Sequence, residues 1–433
     1  MKPGRGFISK YMSTSRRRPL RGLGALVLST ALVGATAAVT AAPAAAVGDF
    51  YRPPASYSAT PGSVIRTAAT PLLLQTPGLP NQWPGNAKKM MYTSTLQNGK
   101  PTAVTGYVVE PTAPWQGKGP RPTVVIGPGT VGQGDQCAGS KMLALPMSLD
   151  PFKPSIGVNY AGLEMHLLLL NGVRVAVTDY VGMATPGVHT YVNRVESGRA
   201  MLDAARAALT ISKAPEDAPV AFSGYSQGGG AAASAAELAQ DYAPDVNVKA
   251  TYAGAPPADL SKVIDQIDGT FIAGGIGYAI NGLQARYPAL TPILRKELTA
   301  QGRQVLANAA TQCIGDTGLA AGFQRSAQWT RDGKPLSAVI ARRPEVQQML
   351  DDQRIGRLKP NAPVLISTGV HDDVIPTGQV KQLYRDWRAQ GADVQLTTSY
   401  IPPIVPGLVV NHALPMLQFL LPGTSFILGE FHR

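Results

Sequence analysis

One serine between two glycines is the strongest chemical signal in the sequence. The segment Gly224-Tyr225-Ser226-Gln227-Gly228 has the pattern GxSxG, in which the glycines allow a tight turn that lifts the serine hydroxyl group away from the chain. The residues before it, PVAFSG, predict a buried strand, and the residues after it, GGAAASAAELA, predict a helix. This strand-turn-helix context favours Ser226 as a catalytic nucleophile over the alternative, an ordinary serine at the start of a helix.

The serine needs a general base and an acid that orients the base, because a serine hydroxyl group is a poor nucleophile on its own. When a GxSxG serine follows a strand in this way, the acid and then the histidine come later in the chain. Asp372 lies just after the predicted strand APVLI, and His412 lies in the final loop, before a C-terminal helix that includes PMLQFLL. We therefore predict a triad of Ser226, Asp372 and His412, with Asp373 as the alternative acid if the loop has a different register.

The other four histidines fit the role of the base less well. His371 adjoins Asp372, which leaves no acid between the serine and the base, and His432 is one residue from the end of the chain. His166 and His189 precede the serine, and isolated histidines in such settings are more often packed or solvated than catalytic.

A tetrahedral intermediate also needs hydrogen-bond donors for its oxyanion. The backbone N–H of Gln227, the residue after the nucleophile, is the first predicted donor. The second is expected from the glycine-rich loop GPGTVGQGDQCAGS after the third predicted strand, where Thr130 and Val131 are the candidates. The alternative is that this loop is only flexible.

The elements that must position these residues alternate along the chain. KMMYTSTL and PTAVTGYVVEPT flank the turn QNGK and predict a hairpin. Short β-branched strands then alternate with helical segments, which predicts an α/β fold with a mostly parallel sheet flanked by helices. Only helical patterns occur over residues 256–358, so we predict a helical cap inserted between two core segments, residues 47–255 and 359–433.

The N-terminus has the three parts of a cleaved export signal. A basic start is followed by an apolar stretch from Leu23 and by small residues at positions 44–46, which predicts a signal peptide over residues 1–46 and a secreted or cell-envelope protein. A retained membrane anchor is the alternative. SRRRPLR resembles a twin-arginine signal, so the export route stays open.

Charge and cysteine content exclude other classes of protein. The formal net charge is +12, but seven of the basic residues belong to the predicted signal, and no basic run with interleaved aromatic residues indicates nucleic acid binding. The only cysteines are Cys137 and Cys313, without the spacing of a metal site. In an oxidising compartment one disulfide is expected, with two buried free thiols as the alternative.

Several segments together resemble the secretory lipases of actinobacteria and fungi, which are α/β-hydrolases. These segments are GYSQGGG, TYAGAPPADL, TDYVGMATPG, and HDDVIP followed by NHALP. The resemblance implies an α/β-hydrolase core with a helical cap, hydrolysis of carboxylic esters including acylglycerols, and Ser226, Asp372 and His412 as the triad. It also implies a disulfide between Cys137 and Cys313, because relatives join a cysteine of the glycine-rich loop to one in the cap. The loop departs from the yeast lipase A of this family, which has an acidic residue at the corresponding place.

Three functions are compatible with these residues. The first is an exported serine carboxylic-ester hydrolase that acts on lipid or small esters and needs no cofactor. The second is an acyltransferase that passes the same acyl group to an alcohol of the cell envelope, and the third is a non-catalytic surface-binding protein on the same scaffold. The segment 271–280, FIAGGIGYAI, could meet a lipid–water interface or pack on the core, and the sequence indicates no obligate protein partner.

Overall fold

The computed structural model describes residues 50–72, 84–142, 147–149, 155–159 and 161–433. The predicted signal peptide, residues 1–46, lies outside these residues. The strands of the described part are β1 (Val64–Thr70), β2 (Gly85–Thr95), β3 (Pro101–Pro111), β4 (Thr123–Gly127), β5 (Met147–Leu149), β6 (Ile156–Val158), β7 (Arg174–Thr178), β8 (Val220–Tyr225), β9 (Val248–Gly254), β10 (Val364–Gly369) and β11 (Val394–Ser399).

A nine-stranded sheet organises the molecule, in the order β1-β2-β3-β7-β4-β8-β9-β10-β11. In the part of the sheet with the order β7-β4-β8-β9-β10-β11, all neighbouring strands are parallel. Strands β1, β2 and β3 are antiparallel to their neighbours, and β3 pairs with β7. The predicted hairpin is β2 and β3, which pair from Gly85 with Pro111 to Thr95 with Pro101. The prediction of a mostly parallel sheet is therefore confirmed, with β1 as an edge strand that the sequence did not predict.

Helices cover both faces of this sheet. The α-helices of the described residues are α1 (Ala161–Leu170), α2 (Arg194–Ile211), α3 (Gln227–Tyr242), α4 (Leu260–Ile267), α5 (Gly275–Gln284), α6 (Leu290–Glu297), α7 (Ala300–Ala309), α8 (Ile314–Ala321), α9 (Leu336–Ala341), α10 (Pro344–Asp352), α11 (Thr377–Ala389) and α12 (Val410–Phe431). None of them has the length and apolarity that spanning a lipid bilayer requires.

The central strands are buried on both faces. Every residue of β4, β7 and β8 is buried, which is typical of parallel strands covered by helices on each side. On one face α2 and α3 pack on side chains that include Val125 and Phe222. On the other face α1 and α12 pack on side chains that include Val124 and Ala221, because successive strand residues point to opposite faces.

The segment between β9 and β10 is helical in the described residues, from α4 to α10. Within α5 the side chains of Ile276, Tyr278 and Ile280 are buried, so this helix packs into the interior. A disulfide joins Cys137, in the loop after β4, to Cys313, which precedes α8, with 5.5 Å between the two Cα atoms. We propose that this helical segment is the cap of the molecule, tied to the core by that bond.

Candidate active site

Ser226 stands in a strained turn between β8 and α3. Its backbone has φ 60° and ψ −124°, a conformation that costs a residue with a side chain on the order of 1 to 3 kcal/mol. The turn is fixed on both sides, since the Ser226 N–H donates to Gly254 C=O over 2.9 Å and the Ser226 C=O accepts from the Gly230 N–H over 3.0 Å. The predicted strand-turn-helix arrangement around the serine is therefore present.

The two glycines of the GxSxG pattern are required by close backbone contacts. A Cβ atom on Gly228 would lie 1.9 Å from the carbonyl oxygen of Gly127, the last residue of β4. A Cβ atom on Gly224 would lie 2.3 Å from the carbonyl oxygen of Gly228. The start of α3 can approach β4 and β8 this closely only because neither position carries a side chain.

Asp372 and His412 come together at the carboxyl edge of the sheet. His412 Nδ1 lies 2.8 Å from Asp372 Oδ2 and 3.0 Å from Oδ1. Asp372 Oδ1 also accepts hydrogen bonds from the backbone N–H groups of Val374 (2.9 Å) and Ile375 (2.8 Å). These donors hold the carboxylate in place and leave it directed at the imidazole ring.

Asp373, the alternative acid, has a different role in the structure. Its Oδ2 accepts from the backbone N–H groups of Gly407 (3.1 Å) and Val409 (2.9 Å). Burial raises the pKa of the Asp373 carboxyl group, and the neighbouring Asp372 charge raises it further. Asp373 therefore anchors the chain that leads into His412, whereas Asp372 contacts the imidazole itself.

His412 lies in the first turn of α12 and not in a loop before the helix, which corrects the expectation from the sequence. The helix begins at Val410, after Val409 in the left-handed conformation with φ 66°, and continues through Pro415. The Asp373 carboxylate accepts a hydrogen bond from the Val409 N–H, which holds the residue before the helix in place.

The free edge of the His412 ring faces the same cavity as Ser226. Nε2 of His412 is buried and has no hydrogen-bond partner among the described residues. The ring lies 5.0 Å from the ring of Tyr225, between centroids, and the Tyr225 hydroxyl group donates to the His412 C=O over 2.9 Å. Ser226 and His412 both line one pocket, so the structure brings these two predicted residues together, with Asp372 behind the histidine.

Gln227 begins α3, where a backbone N–H has no partner within the helix. Its side-chain amide reaches His189, with 3.1 Å between Gln227 Nε2 and His189 Nε2. His189 Nδ1 lies 3.1 Å from the Val181 carbonyl oxygen, so Nδ1 carries the proton and Nε2 accepts from the amide. Burial lowers the pKa of His189 to about 4, which keeps the ring neutral. No local pattern in the sequence predicts this pairing, because 38 residues separate the two side chains.

The two candidates in the glycine-rich loop occupy different surroundings. Thr130 lines the pocket beside Ser226, and its hydroxyl group lies 2.7 Å from that of Tyr191. Val131 is buried in a cluster with the disulfide, and its carbonyl oxygen accepts from the Ile314 N–H over 2.9 Å. Thr130 is therefore the candidate next to the serine, while Val131 joins the loop to the helical segment.

The pocket in front of Ser226 is mainly apolar. It holds about 990 Å³ of empty space, including its open mouth, between α1, α12 and the carboxyl ends of β4 and β8. Its aliphatic lining consists of Ile126, Ala161, Leu163, Ile272, Ile314, Val409, Ala413, Met416, Leu417 and Leu420. Glu164 of α1 also lines this pocket, although no pattern in the sequence selects this residue.

The sequence model of the secretory lipases matches residues 152–413. The chain belongs to the secretory lipase family. The match includes Ser226, Asp372 and His412, and it confirms the resemblance seen in the sequence.

The chain is similar both to a protein named as a probable inactive lipase and to one named as a triacylglycerol lipase. "Probable inactive lipase MT1628" of Mycobacterium tuberculosis is 28% identical over 80% of this chain and 75% of its own length. "Secreted triacylglycerol lipase LIP4" of Malassezia globosa is 31% identical over 53% of this chain and 50% of its own length, so this chain spans about half of that relative. The family match and the Malassezia relative support a lipid ester hydrolase.

Candida antarctica lipase A in its closed state has a similar structure, with a TM-score of 0.72 and 21% identity over 86% of this chain and 82% of that chain. At this level of identity the likeness concerns the fold. It confirms the predicted α/β-hydrolase fold.

Proposed function

We propose that this secretory lipase family member is an exported serine carboxylic-ester hydrolase that cleaves acylglycerols or related lipid esters. The observation that carries the proposal is the Asp372–His412 hydrogen bond of 2.8 Å beside a pocket lined by both His412 and Ser226. An apolar pocket next to a nucleophile suits the hydrocarbon chain of a lipid ester.

In the proposed reaction the hydroxyl group of Ser226 attacks the acyl carbonyl carbon and passes its proton to Nε2 of His412. Asp372 holds the imidazole ring through Nδ1 and stabilises the imidazolium ion that forms. His412 then gives the proton to the departing alcohol, which leaves an acyl group on Ser226. Water attacks this ester in the same manner and releases the carboxylic acid.

The oxyanion that forms at each step requires preorganised donors. We assign the first to the backbone N–H of Gln227, whose position at the start of α3 supports this role. We assign the second to the backbone N–H of Thr130, because Thr130 lines the pocket whereas Val131 packs toward the disulfide. The neutral His189 ring holds the Gln227 side chain and so supports the geometry of the first donor.

The N-terminal sequence supports export of the protein. Residues 1–46 have the composition of a cleaved signal, and the family is described as secretory. We therefore infer a secreted or cell-envelope location for the mature chain.

Hydrolysis of p-nitrophenyl and acylglycerol esters by the purified protein tests this function. Ser226→Ala should lower kcat/KM by several orders of magnitude while the folded state persists, since only the donors and the binding pocket remain. A chain-length series of both substrate types would define the acyl group that fits the pocket. Retention of most activity by Ser226→Ala would contradict the mechanism.

A second candidate function is a non-catalytic role on the same scaffold. It is favoured by one observation, the name "Probable inactive lipase MT1628" carried by a relative that aligns with 80% of this chain. Complete absence of ester hydrolysis and of reaction with a fluorophosphonate by the folded protein would support this alternative over the first.

A further inference from the structure

A carboxyl group lies in the wall of the apolar pocket. Glu164 is half-buried on α1 and lines the pocket with Ser226. The hydroxyl group of Ser223, on the neighbouring strand β8, donates a hydrogen bond to Glu164 Oε1. Among the described residues Ser223 is the one hydrogen-bond partner of this carboxyl group, which leaves Oε2 available to a molecule in the pocket.

Most other polar side chains of the pocket already have partners within the protein. The hydroxyl group of Thr130 meets that of Tyr191, and the hydroxyl group of Tyr252 lies 2.9 Å from that of Ser367. The Tyr225 hydroxyl group donates to the His412 backbone.

Three side-chain polar atoms of the described lining have no hydrogen bond to another group of the protein. Two are the Ser226 hydroxyl group and His412 Nε2, which the proposed reaction uses. The third is Oε2 of Glu164, which the proposed reaction does not use.

The apolar surroundings of Glu164 disfavour the charged form of its carboxyl group. Burial raises the pKa of Glu164 to about 7, although the Ser223 hydrogen bond acts in the opposite direction. The other titratable groups of the pocket are Tyr225 on β8, Tyr252 on β9 and His412 on α12. None of the described lining residues is a lysine or an arginine, so no cation offsets the carboxylate charge.

Strand β8 carries the residue that contacts Glu164 and ends just before the nucleophile. Ser223 contacts Glu164 and precedes Ser226 by three residues, which corresponds to roughly 10 Å along a strand. An acyl chain attached to Ser226 and extended into the pocket would therefore pass the carboxyl group part-way along its length.

We propose that Glu164 is a specificity-determining residue that binds a hydroxyl group carried along the acyl chain. The inference rests on the proposed ester hydrolase function. A hydroxyl group both donates and accepts hydrogen bonds, so it pairs with the carboxyl group in either protonation state. A purely hydrocarbon chain leaves the same polar atom buried without a partner, and sites of that kind discriminate strongly against the analogue that lacks the hydroxyl group.

The protonation state adds a pH dependence to this selectivity. Below about pH 7 the neutral carboxyl group disfavours a hydrocarbon chain less than the carboxylate does at higher pH, and the carboxylate accepts a stronger hydrogen bond from a hydroxyl group. The preference for hydroxyacyl esters therefore rises as the pH passes upward through about 7.

The test compares p-nitrophenyl esters of equal chain length with and without one hydroxyl group, placed at successive positions along the chain. Wild-type protein should favour the hydroxylated ester in kcat/KM by tenfold or more at one position, with a larger ratio at pH 8 than at pH 6. Glu164→Leu should abolish that ratio, and Glu164→Gln should retain a smaller ratio that does not change with pH. Glu216→Gln, on the exposed surface, is the matched control and should behave as wild type.

The outcomes separate this inference from the proposed function. Ester hydrolysis by wild type with a ratio that neither Glu164 variant changes would overturn the inference and leave the function standing. A higher kcat/KM for a p-nitrophenyl ester with an ammonium group on its acyl chain than for the ester with a hydroxyl group at the same position would also overturn the inference. Absence of hydrolysis of every ester, together with absence of fluorophosphonate labelling, would instead remove the proposed function. Glu164→Gln nearly matches the native side chain in shape, so the test holds even if Glu164→Leu fails to fold.

Discussion

Nδ1 of His412 lies 2.8 Å from Oδ2 of Asp372, across 40 residues of sequence. The carboxylate follows β10 and the imidazole belongs to the first turn of α12, so two separate elements fix this contact. Asp372→Asn should lower kcat for ester hydrolysis by about 10³ to 10⁴-fold, because an amide cannot hold the same tautomer or stabilise an imidazolium ion. Steady-state kinetics, with circular dichroism as a check of folding, measure the effect.

The neighbours of Asp372 supply the matched controls for that variant. Asp373 binds the backbone of Gly407 and Val409 and not the ring, so Asp373→Asn should lower kcat by less than about tenfold. His371 is exposed in the same loop, and His371→Gln should retain wild-type kinetics. A larger loss of kcat in Asp373→Asn than in Asp372→Asn would show that Asp373, and not Asp372, is the acid of the triad.

The close approach of α3 to β4 predicts a severe effect at one glycine. Gly228→Ala places a Cβ atom 1.9 Å from the Gly127 carbonyl oxygen, so the helix must shift and carry Ser226 with it. We expect a large loss of stability, seen as a lower midpoint in urea denaturation. Gly378→Ala, a position in α11 with no atom within 4 Å of the added Cβ, should leave the midpoint unchanged or raise it slightly. Equal urea midpoints for Gly228→Ala and Gly378→Ala would show that α3 and β4 do not pack closely at Gly228.

The disulfide between Cys137 and Cys313 should contribute measurable stability. It closes a loop of 176 residues, and restricting so long a loop in the unfolded chain corresponds to about 3 to 5 kcal/mol. Reduction with dithiothreitol should lower the free energy of unfolding by that amount in wild-type protein. The double variant Cys137→Ala, Cys313→Ala should have the lower value with or without the reductant, and a response of the variant to dithiothreitol would point to another cause.

His189 should make stability depend on pH in the acidic range. Burial lowers its pKa to about 4, so an unfolded chain takes up a proton near the ordinary pKa of about 6.5 while the folded chain does not. Stability therefore falls as the pH is lowered from about 6.5 to 4, by up to about 3 kcal/mol from this group alone. Urea denaturation of wild type and of His189→Gln across that range should show a steeper decline in wild type. Parallel curves would mean that His189 is not neutral in the folded state.

Local patterns predicted the parts of the structure that depend on local contacts. The strand before Ser226, the helix after it and the role of the two glycines follow from residues close in sequence, which is why the turn agrees with expectation. The order of serine, acid and histidine predicts Asp372 and His412 as partners, and the structure places both residues after sheet strands and 2.8 Å apart. The start of α12 differed, because the helix begins at Val410, before Pro415, where Asp373 of another loop binds the Val409 N–H.

Other features could not be predicted because they are contacts between distant residues. His189 acquires its role from the Gln227 amide 38 residues away, and nothing in the segment PGVHTYV indicates such a partner. Glu164 lies within LEMHLLLL, where a single acidic residue has the pattern of a solvated position on an apolar helix. Only the fold brings it to Ser223 and into the pocket.

The most direct test of the account is covalent labelling of the proposed nucleophile. Folded wild-type protein treated with a fluorophosphonate should gain the mass of one adduct, measured by intact-protein mass spectrometry. Ser234→Ala, a buried serine of the same helix α3, should gain the same mass, whereas Ser226→Ala should gain none. Labelling of Ser226→Ala to the same extent, or the absence of labelling in wild type, would contradict the claim that Ser226 is activated by His412 and Asp372.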